Sequence, residues 1–199
     1  MKLKARNIYQ ELKNFSNRKF LILIIPILLS ACTPSETDID TKSNEYIDIS
    51  GFFKEEANRL NDLNASLEKS LNNGASNEIV LRTDVDWTEE LNPFIDIDLN
   101  KPAYKNGYKI DTININSGYQ IKYSSIDESL ELKSVSIDFI KEQIQKIIVI
   151  HKKDNIYYLS KEELIYETGK SFHIKVRNEL KTGKPIQFGI TGTIISSNP

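Results

Sequence analysis

Cysteine is almost absent from this chain of 199 residues. There is one, Cys32, beside two histidines, His151 and His173, and a single tryptophan. One cysteine excludes a disulfide within the domain, whatever the redox compartment. A zinc site of cysteine and histidine, or a Cys-His nucleophile, lacks its raw material. Glycine is sparse as well, with eight residues. None of them builds a Gly-x-x-x-x-Gly-Lys-Ser/Thr loop, a dinucleotide-binding turn or a Gly-x-Ser-x-Gly elbow. Gly189-Ile190-Thr191-Gly192 lies in a strand pattern, where glycine eases curvature or packing.

Long apolar runs are also missing. The block Phe20 to Leu29 contains Pro26 and is too short for the roughly 20 residues that span a bilayer. It follows a basic leader in which Lys2, Lys4, Arg6, Lys13, Arg18 and Lys19 stand against Glu11 alone. A basic segment, a short apolar segment and then small residues make up a secretory signal peptide.

The small residues are Ser30 and Ala31, and Cys32 follows them. Leu29-Ser30-Ala31-Cys32 resembles the lipobox of bacterial lipoprotein signal peptides at all four places. The resemblance implies cleavage before Cys32, a diacylglycerol on its sulfur and usually an amide-linked acyl chain on its new amino terminus. It covers the leader (1–31) and one mature residue. Read without it, Cys32 is a small buried hydrophobe, but Thr33-Pro34-Ser35-Glu36-Thr37-Asp38 offers no packed surroundings. Each buried methylene contributes about 0.8 kcal/mol, so two or more acyl chains hold a protein in the membrane without further contacts.

The whole chain carries 26 Lys and Arg against 28 Asp and Glu. Removing residues 1–31 takes away six cations and one anion, leaving 20 against 27, a net charge near −7. Net positive charge is therefore lacking too, which argues against a nucleic-acid partner or attachment to anionic lipid through a polybasic patch.

Residues 32–45 are polar and read as a flexible tether; their acids also fit a sorting signal of the kind some bacterial lipoproteins carry. Residues 46–199 read as one domain. Phe53, Ala57, Leu60, Leu63, Leu67 and Leu71 recur in steps of three and four, an amphipathic helix capped at Asp48 or Ser50 and stopped at Asn73-Gly74. Its stripe fits the protein's own sheet better than a coiled-coil seam, because too few heptads are present. Glu78 to Thr83 reads as a short strand. Asp86 and Glu89 have capping-box spacing, so a second helix starts at Trp87, kinked or restarted by Pro93, with Trp87, Leu91 and Phe94 in the core.

Beyond Tyr104 strands and turns alternate. Tyr119, Ile121 and Tyr123 form one dry face, and Phe172, Ile174 and Val176 another. Asn116-Ser117-Gly118, Glu142-Gln143, Asp154-Asn155, Gly169-Lys170 and Gly183-Lys184-Pro185 separate the runs, too closely for crossover helices. Consecutive strands then pair antiparallel. A change of apolar parity between Ile110 and Ile113 predicts a bulge near Asp111, Ile147 to Ile150 a central strand, and residues 136–147 either strand or helix. The expected fold is α+β: N-terminal amphipathic helices on an antiparallel meander of about six or seven strands, which could curl into a half-barrel.

No catalytic, cofactor or metal residues are assigned. Asp96-Ile97-Asp98-Leu99-Asn100 opens like a calcium loop, but Lys101 and Gly107 stand where glycine and glutamate are needed. His173 falls on a wet strand face. Glu89-Glu90 and Glu162-Glu163 are adjacent and point apart. The functional expectation is a non-enzymatic envelope lipoprotein, anchored to the membrane through Cys32, most naturally the outer membrane, with a structural, assembly or binding role and a protein partner in the envelope. The layout resembles uncharacterised bacterial envelope lipoproteins. One alternative is a lipid or lipoprotein carrier with an apolar cavity in a curved sheet. Another is a hydrolase of envelope carbohydrate, which needs carboxylates converging in a cleft.

Overall fold

The computed structural model describes residues 45–73 and 77–196. The chain begins there with helix α1 (Ile49–Asp62), whose Asp48 Oδ1 accepts the Gly51 N–H at 2.8 Å. Ile49, Phe53, Ala57 and Leu60 make its buried stripe. The helix ends ten residues short of the expected stop. Asn64 takes φ 46°, its N–H donates to the Asn61 carbonyl at 2.9 Å, and the Ala65 N–H donates to the Leu60 carbonyl at 3.1 Å. This is a Schellman cap with asparagine in the left-handed place. Leu67 and Leu71 therefore lie in strand β1 (Ser66–Asn72), which forms a hairpin with β2 (Asn77–Arg82); Gly74 of the expected stop is outside the described residues.

Helix α2 (Trp87–Glu90) is capped by Asp86, which accepts the Thr88 N–H at 2.9 Å. Pro93 restarts the chain as the single-turn α3 (Asn92–Ile95). Seven strands follow: β3 (Tyr108–Ile115), β4 (Gly118–Ser125), β5 (Leu132–Ile140), β6 (Gln143–Asp154), β7 (Tyr158–Glu167), β8 (Ser171–Leu180) and β9 (Ile186–Ile195). Lys141 and Glu142 both have positive φ, which gives the tight primed turn between β5 and β6. The 136–147 stretch is thus strand on both sides of a turn.

Among the described residues, nine strands form one antiparallel sheet in the order β2-β1-β9-β8-β7-β6-β5-β4-β3. The meander after Tyr104 has seven strands where about six or seven were expected, and the β1–β2 hairpin extends the sheet through β9 to nine. The sheet is open, with β2 and β3 as edges. The bulge expected at Asp111 is absent: β3 and β4 stay in register from Tyr108↔Ser125 to Ile115↔Gly118. On an edge strand neither Ile110 nor Ile113 is buried, both being 50% exposed, so the parity change imposes no shift. Register shifts occur instead between β5 and β6, at Leu132/Ser134 and Asp138/Phe139.

The helices cover one face of the sheet. Phe53, Phe94, Tyr166 and Phe172 interlock there, with ring centroids 5.0 to 6.1 Å apart. Phe53–Phe94 is tilted and the other three pairs are edge-to-face, and such aromatic pairs contribute about 0.5 to 1.5 kcal/mol beyond area burial. Trp87 is fully buried beside them, and its indole N–H donates to the Ala65 carbonyl at 3.0 Å. Gly192 lies on this face because a Cβ there would run into the Phe172 ring.

Candidate functional site

Leu29, Ser30, Ala31 and Cys32 lie outside the described residues, as does the tether except Glu45. The other groups considered from the sequence are dispersed. His151 is on the helix-covered face, opposite Glu162, and burial holds its imidazole below the ordinary range. His173 is on the opposite, helix-free face, with Nδ1 3.1 Å from Thr191 Oγ1. The Asp96–Asn100 loop is a brace: Asp98 accepts the Asn100 N–H at 2.8 Å, and the Asn100 amide grips both backbone groups of Tyr46 at 2.9 and 3.0 Å. Glu90 takes Lys69 at 2.6 Å and Arg82 at 2.7 Å, while Glu89 is exposed. Glu162 and Glu163 face opposite sides of β7, and burial raises the Glu162 carboxyl. Among the described residues no three His, Cys, Asp or Glu side chains are grouped to hold a metal ion.

The most buried charge among the described residues has a structural task. Glu56, on α1, accepts the Tyr166 hydroxyl at 2.6 Å, the Gly169 N–H at 3.2 Å and two Arg59 donors at 2.7 and 2.8 Å. Burial alone would raise its carboxyl, but these donors outweigh it and hold the group below the usual range. The phenol of Tyr166 is pushed up by burial and by the Glu56 charge. A carboxylate with this many donors, three on Oε1 and one on Oε2, pins the helix to the β7–β8 turn.

The helix-free face holds the arrangement with binding geometry. Lys152 (β6) stands directly opposite Lys161 (β7), and Lys161 directly opposite Arg177 (β8). Like charges placed opposite one another cost about 0.2 to 1 kcal/mol. Arg177 is partly offset by Glu179 at 3.1 Å, whereas Lys152 and Lys161 form no ion pair among the described residues. The neighbouring row runs Ile150, Glu163, Lys175, Gly189 across β6 to β9. A recess of about 350 Å³ lies among Ile150, Lys152, Lys161, Glu163, Lys175 and Arg177, where lysine stems and the isoleucine give an apolar floor beneath charged tips. A trough of about 610 Å³ adjoins it, sharing Glu163 and Lys175 and reaching Ile165, His173, Gly189 and Thr191.

Gly189 leaves the gap in the middle of that trough. A Cβ there would meet only the Ile174 carbonyl, at 3.8 Å, so no backbone constraint requires glycine. The alternation of His173, Lys175 and Arg177 was legible as a wet face. The cationic row was not, because it exists only once β6, β7 and β8 are in register.

No protein-family model matches the chain, and no curated protein or solved structure matches it. Among the described residues no helix is long and apolar enough to cross a membrane.

Proposed function

We propose that this is a lipid-anchored protein of the bacterial cell envelope, held at the outer membrane through Cys32, whose domain binds an anionic ligand on its helix-free face without catalysing a reaction. The anchor rests on Leu29-Ser30-Ala31-Cys32. The binding role rests on the row Lys152, Lys161 and Arg177, whose mutual repulsion a carboxylate or phosphate in the adjoining recess would relieve. A carrier of acyl chains would need apolar room beneath α1, where the Phe53, Phe94, Tyr166 and Phe172 rings pack. A hydrolase would need carboxylates sharing one substrate, and Glu162 and Glu163 face apart.

The test is titration of the full chain in detergent with inorganic phosphate and then citrate, followed by amide NMR. Saturable shifts confined to the segments around Ile150, Lys161 and Lys175, and lost in Lys161→Glu, are expected. Binding that persists unchanged in Lys161→Glu and Lys152→Glu would remove the anion site from this face.

A further inference from the structure

Strand β2 is an edge of the described sheet whose centre is apolar, with its charges, Glu78 and Arg82, near the two ends. Its sequence, Asn77-Glu78-Ile79-Val80-Leu81-Arg82, contains no proline and no lysine. Ile79, Val80 and Leu81 are 62%, 45% and 61% exposed, and among the described residues β2 pairs with β1 alone. Such an edge carries a row of open backbone donors and acceptors, a template for another strand. The opposite edge, β3, is blunted by Lys109, which neutralises Asp111 of its own strand at 2.9 Å.

We propose that β2 pairs with β2 of a second copy of this chain, giving a two-fold dimer with a continuous sheet. A two-fold axis perpendicular to the sheet keeps the faces of both copies aligned, so only residues of the same parity can stand opposite each other. The axis must then fall on one residue. On Ile79 it would set Glu78 against Val80, and on Leu81 it would bring Glu78 toward Asp84. On Val80 it sets Val80 against itself, Ile79 against Leu81 and Glu78 against Arg82, each of the last two pairs occurring twice. Only that register matches both charge and apolar surface.

The charge match extends beyond the strand. Lys69 and Arg82 share the single carboxylate of Glu90, which leaves one cation in surplus, and Arg82 is half exposed. In the dimer Glu78 of the second copy approaches that surplus on the same face, while Glu78 makes no ion pair among the described residues of its own chain. This association is independent of the anion site, which lies on other strands.

The experiment uses the full chain with Cys32→Ser in detergent, so that the native thiol plays no part. Light scattering across a concentration series should report a monomer–dimer equilibrium, weakened roughly tenfold or more by Glu78→Lys because the axis repeats the repulsion. Under mild oxidation Val80→Cys should form a disulfide-linked dimer, whereas Ile110→Cys on β3 should not. A monomer at every concentration overturns the proposal, as does a dimer insensitive to Glu78→Lys or cross-linked only through Ile110→Cys. Open-ended oligomers cross-linked by neither residue would overturn it too, since they indicate pairing of β2 with β3.

Discussion

At Glu56, four hydrogen bonds meet on one buried carboxylate: two come from Arg59 on the same helix, and two, from Tyr166 and Gly169, join residues 110 or more apart in sequence. Its carboxyl titrates below the usual 4.5, so its contribution is present above that value and is lost as pH falls through the lower folded-state value. Glu56→Gln should therefore lower stability by about 2 kcal/mol at neutral pH, the size of a charge-assisted bond. The two proteins should converge on acidification. Denaturation midpoints measured across the acid range check this, and a deficit that stays constant with pH would contradict it. The two glycines of β9 offer a contrast at the same scale. Gly192→Ala drives a methyl into the Phe172 ring and should cost about 1 to 3 kcal/mol of overpacking. Gly189→Ala meets only ordinary contact and should fold as the parent does, so thermal melts of the pair should separate.

Among the elements, the end of α1 shows why local pattern fails. Leu63, Leu67 and Leu71 are four apart, a spacing that keeps residues on one helix face and, being even, also on one strand face. In β1, Leu67 and Leu71 share one face and alternate with Glu68 and Ser70, and Leu67 is fully buried, while Leu63 stays at the helix cap. The deciding feature was Asn64, whose left-handed φ completes the cap. Asn64→Val should cost about 1 to 3 kcal/mol in urea denaturation, because a β-branched residue is strained there. Asn64→Gly should cost almost nothing, and equal losses from both would mean the cap is not the cause. What was legible in the sequence shares a physical character: the Asp48 and Asp86 caps, the restart at Pro93 and the hairpin turns all depend on a few neighbouring residues. The β1–β9 pairing and the Glu56 pin join chain segments far apart, and the cationic row, though carried on consecutive strands, depends on their register; no residue spacing encodes either.

For the whole molecule, the question is what holds it at a membrane. Without residues 1–31, as the proposed cleavage would leave it, the chain carries a net charge near −7 and anionic surfaces would repel it, so electrostatic adsorption is a poor source of attachment. A lipid on Cys32 works by burial of methylenes, which salt does not screen. Membrane association of the wild type should therefore survive washing in high salt, whereas a charge-held protein would be released. Cys32→Ala in the full chain should abolish incorporation of a clickable fatty acid and leave a larger protein, with residues 1–31 still attached. The intact mass distinguishes the cases: a wild-type mass that begins at Cys32 and includes the lipid supports the anchor, and an unlipidated one refutes it. Labelling that persists in Cys32→Ala would move the acyl chain to another residue and with it the whole account of attachment. Under the proposed anchor, copies would be confined to a plane, where even a weak edge pairing gains from high local concentration.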